Sequence, residues 1–384
     1  MSKRNFLRYG MVGGSLSSFM GNVHRKAIAF EKDINLTAGC FSTNEELNIK
    51  TGEELHLCPE RVYPDFYEMA KAEAAREDGI DFVVVVTPNN VHYEAVKAFL
   101  ENGINVVCEK PLCFENNQAE ELQKIAKEKD LLFVVTYAYT GYAMVKFAKQ
   151  LIEEGKIGKV INVNGEYLQE WLLSQVEEEG KSLGTLSTWR TDPAKAGISN
   201  CIGDIGTHIE SLVSYMTGLE IKRVAARIDR FNNVLELNAN ILVEYTNGCP
   251  GVYTCSQVTA GYGNALAVRI FGSKGAIEWK QEVPDELRVT LLGQPAQLYQ
   301  RGTDSIYGRG ADVTRIPSGH PEGYFVAFAN TYKIYTNAVL KKINGEELTT
   351  VDLDFPTGKD GVAGVKFINA AIKSGDNDSC WVDL

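Results

Sequence analysis

Five short apolar runs alternate with helix-forming stretches over the first 137 residues, and few folds accommodate that rhythm. The runs are Leu7 to Gly13, Leu36 to Phe41, Ile80 to Thr87, Asn105 to Cys108 and Leu131 to Tyr137. Ile80 to Thr87 is apolar at nearly every position, as a strand buried on both faces must be. Between the runs lie a helix closing at Ala27 to Glu31, then Asp65 to Glu77, Val91 to Glu101 and Asn116 to Lys129. Pro88 and Pro111 stop strands, and Gly103 ends a helix. Strict alternation with short connections predicts a parallel sheet wrapped by helices on both faces.

The rhythm changes after about residue 155. Val160 to Tyr167, Val224 to Arg230, Ala239 to Tyr245, Gly251 to Val258 and Leu266 to Trp279 read as strands. Thr246-Asn247-Gly248 and Gly272-Ser273-Lys274-Gly275 carry the turn chemistry of antiparallel neighbours. Helices are expected at about Asp204 to Met216, Tyr324 to Leu340 and Lys359 to Ile372. A chain of 384 residues can bury two cores. The expected organisation is an α/β domain over residues 1–140 and an α+β domain over 141–384. A last helix at about 359–373 is a candidate to pack back on the first.

Bulk properties exclude several classes of function. A net charge of −11 speaks against a nucleic-acid partner. The longest apolar runs, Phe82 to Val86 and Leu131 to Val135, fall far below the roughly 20 residues of a membrane span. The N-terminal run is broken by Arg8 and ends in glycines, so it reads as a first strand rather than a secretory leader. Eight dispersed cysteines contain no Cys-x-x-Cys pair and lack the spacing of a zinc site, so no metal is expected. Reduced thiols in a cytoplasmic protein are the expectation.

Gly10-Met11-Val12-Gly13-Gly14-Ser15 closes the first strand. A dinucleotide site needs a tight turn there, close backbone approach to the pyrophosphate, and a helix N-terminus facing the negative charge. Gly13, Gly14, Ser15 and Gly21 can supply these, although Ser15 stands where a second glycine is usual and the loop is about three residues longer. After the second strand, Phe41 to Glu46 offers neither an acid at the strand end for the ribose of NAD nor a cation for the phosphate of NADP. Glu45 and Glu46 would repel that phosphate. NAD is favoured, and NADP stays open.

Glu109-Lys110-Pro111 sits at the carboxyl end of the fourth strand, where open α/β sheets bind ligands. Asp204 and His208, four apart, share one face of a helix. Oxidation of a secondary alcohol needs a base for the hydroxyl proton while hydride departs, and histidine titrates in the right range. A lysine can stabilise charge developing on the same oxygen, and a carboxylate can orient and tune the imidazole.

These features resemble the glucose–fructose oxidoreductase/inositol dehydrogenase/MocA family over nearly the whole chain. The resemblance is carried by the glycine loop with His24, Thr87-Pro88-Asn89-Asn90-Val91-His92, Glu109-Lys110-Pro111, and Gly203-Asp204-Ile205-Gly206-Thr207-His208. It implies a Rossmann domain followed by a domain with a large, open-faced, mostly antiparallel sheet. Lys110 is then the catalytic lysine, His208 the proton-transferring base, and Asp204 its substrate-binding partner. The cofactor would meet Gly13, Gly14 and Ser15, then Phe19 and Met20, and Ser42 and Thr43. Further along it would meet Thr87, Pro88, Asn89 and His92, Glu109 and Lys110, and finally Trp189 and Arg190. Tyr137-Ala138-Tyr139-Thr140 replaces a polar Asn-x-Arg found in many members.

Tyr139, Trp171 and Trp189 are candidates to stack on a sugar, and Arg190 and His320 to bind substrate. The leading expectation is an NAD(P)-dependent oxidoreductase acting on a secondary hydroxyl of a sugar, inositol or glycoside, the glycoside 3-hydroxyl included. The alternatives are a redox-neutral glycosidase that uses tightly held NAD, and a non-enzymatic NAD-binding regulator. A homodimer or homotetramer is implied by the resemblance.

Overall fold

The computed structural model describes residues 3–177 and 191–384. The chain forms two compact units, residues 1–136 with 328–362, and residues 137–327 with 363–384. It crosses between them at Thr136/Tyr137 and again inside the helices Tyr324–Ile343 and Gly358–Gly375. The first boundary thus lies at residue 136 against the expected 140, and residues 328–362 join the first unit.

Among the described residues, the first unit holds a parallel sheet of five strands. They are β1 (Leu7–Gly13), β2 (Ile34–Cys40), β3 (Phe82–Val86), β4 (Asn105–Cys108) and β5 (Phe133–Val135), in the order β2-β1-β3-β4-β5. A single parallel bridge from Gly39 to Val62 lies beyond β2. It occupies the place of the third strand in the dinucleotide-binding order 3-2-1-4-5-6. Right-handed crossovers in such an order put helices on both faces. Residues Phe82 to Val86 are all buried, each contributing ~1.5–3 kcal/mol on leaving water. The helices are α1 (Phe19–Ile28), α2 (Glu45–Glu54), α3 (Phe66–Ala74), α4 (Asn89–Glu101) and α5 (Asn116–Glu128). Thus the chain order and the parallel doubly wound sheet follow from the alternation read in the sequence.

Among the described residues, the second unit is built on a nine-stranded, mostly antiparallel sheet. The strands are β6 (Val160–Leu168), β7 (Ile221–Asp229), β8 (Asn238–Tyr245), β9 (Pro250–Ser256), β10 (Ala265–Gly272), β11 (Gly275–Lys280), β12 (Glu286–Leu291), β13 (Gln297–Gln300) and β14 (Val382–Asp383). Their order is β13-β12-β11-β10-β6-β9-β8-β7-β14, with β6 and β9 parallel. One face packs under the helix Thr207–Thr217 and α6 (Ala143–Glu153). Close packing is enforced at Gly165 of β6, where a Cβ would lie 2.2 Å from Ile209 Cγ2. The other face exposes apolar side chains, including the cross-strand partners Leu242 and Val252, 52% and 42% exposed.

The expected helix from Asp204 begins differently. Residues Ile202–Gly206 wind as a π-turn, with the Thr207 N–H reaching back to the Ile202 carbonyl, and α-helix starts only at Thr207. Asp204 and His208 therefore lie on either side of a change in winding.

Candidate active site

In the first unit the β-strand register aligns the ligand-binding edge. Gly13 pairs with Val86, Val85 with Cys108, and Cys108 with Val135. The segments after β1, β3 and β4 thus emerge side by side at the carboxyl ends of the strands.

Gly13 and Gly14 both adopt left-handed backbone, φ +76° and +72°, which costs glycine nothing. A Cβ on Gly21 would lie 2.4 Å from the Gly14 Cα, so helix and loop touch backbone to backbone. Ser18 caps α1 by accepting the Gly21 N–H at 3.1 Å, and no acidic residue stands in the first turn. Gly21, six residues beyond Ser15, therefore supplies the close helix packing. The lengthened loop keeps the physics of the fingerprint and moves its spacing. Phe19, at the first helical position, is 69% exposed, and Met20 is half-buried.

Ser42 and Thr43 follow β2, and Ser42 Oγ accepts the Asn44 N–H. Asn44 caps α2, so Glu45 and Glu46 form a first helical turn rather than a loose acidic patch. Thr87 and Pro88 join β3 to α4, which begins at Asn89. His92, fully buried on α4, places one ring nitrogen 2.9 Å from the Thr87 carbonyl and the other 2.9 Å from that of Pro111. Burial holds its pKa below the usual histidine value.

Glu109 is buried beside Lys110, and the Lys110–Pro111 peptide is cis. Burial opposes ionisation of Glu109. Hydrogen bonds from His24 and Thr136, together with the Lys110 charge, outweigh it and hold the carboxyl below its usual range. An ionised carboxylate only accepts, so His24 presents Nε2–H to Glu109, and its Nδ1 shares a hydrogen bond of 2.6 Å with the Tyr332 hydroxyl.

These residues fit a dinucleotide. Paired left-handed glycines leave room for backbone approach, a capped helix N-terminus lacks competing acid, and Thr87 Oγ1 is buried without a partner among the described residues.

Lys110 belongs to the first unit, and Asp204 and His208 to the second. In the second unit Asp204 Oδ2 accepts from Gln257 Nε2 at 2.9 Å. His208 is flanked by aromatic rings: Tyr139 at 4.7 Å between centroids and Tyr137 at 5.9 Å, both in edge arrangements, and a tilted Tyr167 at 6.0 Å. Tyr139 and Tyr167 share a hydrogen bond of 2.6 Å, and the Tyr167 hydroxyl reaches Asn264 Oδ1 at 2.7 Å. Burial, with the neighbouring Tyr139, pushes the Tyr167 hydroxyl pKa far up and keeps it neutral. Asn264 Oδ1 also accepts from Gln169, whose Oε1 takes the Trp171 indole N–H at 2.9 Å. Trp171 and Tyr139 thus belong to one polar wall with Asp204 and His208. His320 belongs to another cluster: its ring is exposed, and its carbonyl accepts from the buried Arg301, which also pairs with Asp285 and Glu322. Trp189 and Arg190 lie outside the described residues.

Gln169, Gln257 and Asn264 were not anticipated. Gln169 and Gln257 directly follow β6 and β9, whose parallel pairing in the folded sheet brings them together.

A parallel dinucleotide-binding sheet joined to a large open sheet with an Asp/His helix defines a two-domain oxidoreductase. The family model described as oxidoreductase family, NAD-binding Rossmann fold, matches residues 7–137, and that of the GFO/IDH/MocA C-terminal domain matches residues 145–278. An uncharacterized oxidoreductase, YfiI, of Bacillus subtilis (strain 168) is 34% identical over 98% of this chain and 97% of its own length. The chain belongs to the Gfo/Idh/MocA family of NAD-binding oxidoreductases. Two crystal structures of an inositol dehydrogenase homolog from Azotobacter vinelandii cover 100% of this chain and 98% of theirs. The one complexed with NAD+ has a TM-score of 0.91 at 34% identity, and the one complexed with NADH and myo-inositol 0.90 at 33%. Levoglucosan dehydrogenase of Pseudarthrobacter phenanthrenivorans is 26% identical over 78% of this chain and 80% of its own. No helix among the described residues is long and apolar enough to cross a membrane.

Proposed function

We propose that the protein is an NAD-dependent dehydrogenase acting on a secondary hydroxyl of a sugar, cyclitol or glycoside. The observation that carries this reading is the wall of the second unit: a carboxylate oriented by an amide, Asp204 with Gln257, beside an imidazole held among tyrosine rings. Amides, hydroxyls and an indole N–H suit a polyhydroxylated ligand. The inositol dehydrogenase homolog with myo-inositol and the levoglucosan dehydrogenase support that substrate class.

When bound, the nicotinamide supplies the hydride acceptor. His208 takes the hydroxyl proton, and Asp204 binds the substrate and favours the protonated imidazole. Lys110 donates a hydrogen bond to the reacting oxygen and stabilises the charge that develops there. Gly13, Gly14 and Ser15 with the start of α1 hold the pyrophosphate, and Thr87 to His92 with Glu109 shape the nicotinamide side. Tyr139 and Trp171 face the sugar, with Arg190 and His320 as further substrate contacts.

The test is a panel of inositols, aldoses and glycosides with NAD and with NADP, followed by absorbance of the reduced cofactor. Stoichiometric NADH with at least one member is the expected result, and no reduction with any member and either cofactor overturns the reading. Release of an aglycone without net NADH would identify redox-neutral glycoside cleavage. The exposed face with Leu242 and Val252 supports a homodimer or homotetramer. Eight free thiols agree with a cytoplasmic setting.

A further inference from the structure

Asp204 rides on a wide turn, and a wide turn leaves backbone N–H groups at its start without partners in the helix. Glu236, on the loop before β8 and fully buried, takes them up. Its Oε1 accepts from the Ile202 N–H at 2.8 Å and the Ser199 hydroxyl at 2.6 Å, and its Oε2 from the Asn200 N–H at 3.2 Å. Ser199 Oγ in turn accepts the Gly203 N–H at 2.8 Å.

The same buried set continues to the reactive end. Asn200 Nδ2 donates to Gln257 Oε1 at 2.7 Å, and Gln257 Nε2 donates to Asp204 Oδ2 at 2.9 Å. The direction of this chain is forced, because a carboxylate can only accept. Gln257 must turn its amide nitrogen to Asp204, and its carbonyl then meets Asn200.

We propose that Gln257 is a positioning residue that sets the orientation of the Asp204 carboxylate, and that Glu236 anchors the turn from which Asp204 projects. The inference rests on the assignment of Asp204 to substrate binding. It adds two residues, 32 and 53 positions downstream of Asp204, that touch the substrate only through it.

Three variants test it in the full chain with NAD bound: Gln257→Met, which keeps the volume and removes the donor, Gln257→Glu, and Glu236→Gln. With a polyol that the wild type oxidises, Gln257→Met is expected to lower kcat/KM about 10- to 100-fold, the worth of one hydrogen bond to a charged group. The Asp204 carboxyl should titrate higher as it loses a donor. Gln257→Glu should raise that titration at least as far, since two carboxylates then face each other. Glu236→Gln, which keeps the shape and removes the charge, should lower kcat/KM with a smaller change in the Asp204 titration. Thr217→Ala, at the far end of the same helix, weakens the helix without touching Asp204 and should leave that titration in place.

The contact is also read without turnover. The Asp204 carboxyl, assigned by Asp204→Asn, is titrated by carbon-13 NMR and should titrate higher in Gln257→Met than in the wild type. If no polyol is oxidised by the wild type, the functional reading fails while this titration still decides the contact. An unmoved Asp204 titration in both Gln257 variants overturns the inference.

Discussion

The Nε2 of His24 lies 2.8 Å from Oε1 of Glu109, the residue directly before Lys110. The two are 85 positions apart in sequence, and both are buried. Replacing His24 by phenylalanine would leave the Glu109 carboxylate with one donor fewer, at a cost of about 1–3 kcal/mol. Glu109 has its pKa lowered in the folded protein, so its stabilising contribution is complete above the unfolded value of about 4.3 and is lost as pH falls below it. Urea unfolding should therefore show a gap between wild type and His24→Phe that is widest near neutrality and narrows in acid. A gap independent of pH would argue for packing alone.

Gly21→Ala probes the contact between helix and loop. Its new Cβ would sit 2.4 Å from the Gly14 Cα, where only backbone movement gives relief. A loss of about 1–3 kcal/mol is expected, as for other overpacked sites, together with weaker NAD binding in fluorescence titration. Full stability with unchanged NAD affinity would show that the loop adjusts freely.

His92 predicts a pH dependence of opposite origin. Its folded pKa is depressed by burial, so on acidification through about 6.5 the unfolded chain takes up a proton before the folded one. Stability is lost as pH falls across that range. Thermal midpoints measured across it should fall more steeply for the wild type than for His92→Gln, which cannot titrate. Equal slopes would remove His92 from the account.

Lys110→Met should separate chemistry from cofactor binding. Loss of one charge-stabilising donor lowers kcat on the order of 10²–10³-fold, and NAD affinity, to which Lys110 adds one contact, falls far less. A variant that turns over at the wild-type rate would leave Lys110 with no part in the reaction.

The first sheet was legible because each central strand is a short apolar run closed by glycine or proline, as at Phe82 to Val86 before Pro88. Helix α2 was not, since its buried residues Asn48, Thr51 and Gly52 are polar or small and draw no apolar stripe. Strands β12 and β13 escaped for a related reason: they are short, and β13 exposes Gln297 and Leu298. At the site, the Asp204 and His208 spacing was readable as a local motif. The π-turn beneath it was not, because it is held by Glu236, and that partnership is a property of the tertiary structure. The amides of Gln169, half-buried, and Gln257, fully buried, belong to the same class, since nothing local distinguishes a glutamine that binds Asp204 from one that faces water.

The wide turn at Ile202–Gly206 also makes residue count part of what the site encodes. Deleting a single residue there, Ile205 for instance, would permit ordinary α-winding, a locally more regular helix. A wide turn holds one residue more than an α-turn, so the deletion and the tighter winding would offset each other and the helix after Thr207 would keep its rotational setting. The carboxylate and the imidazole would then stand three residues apart instead of four, and the angle between them would change with every side chain intact.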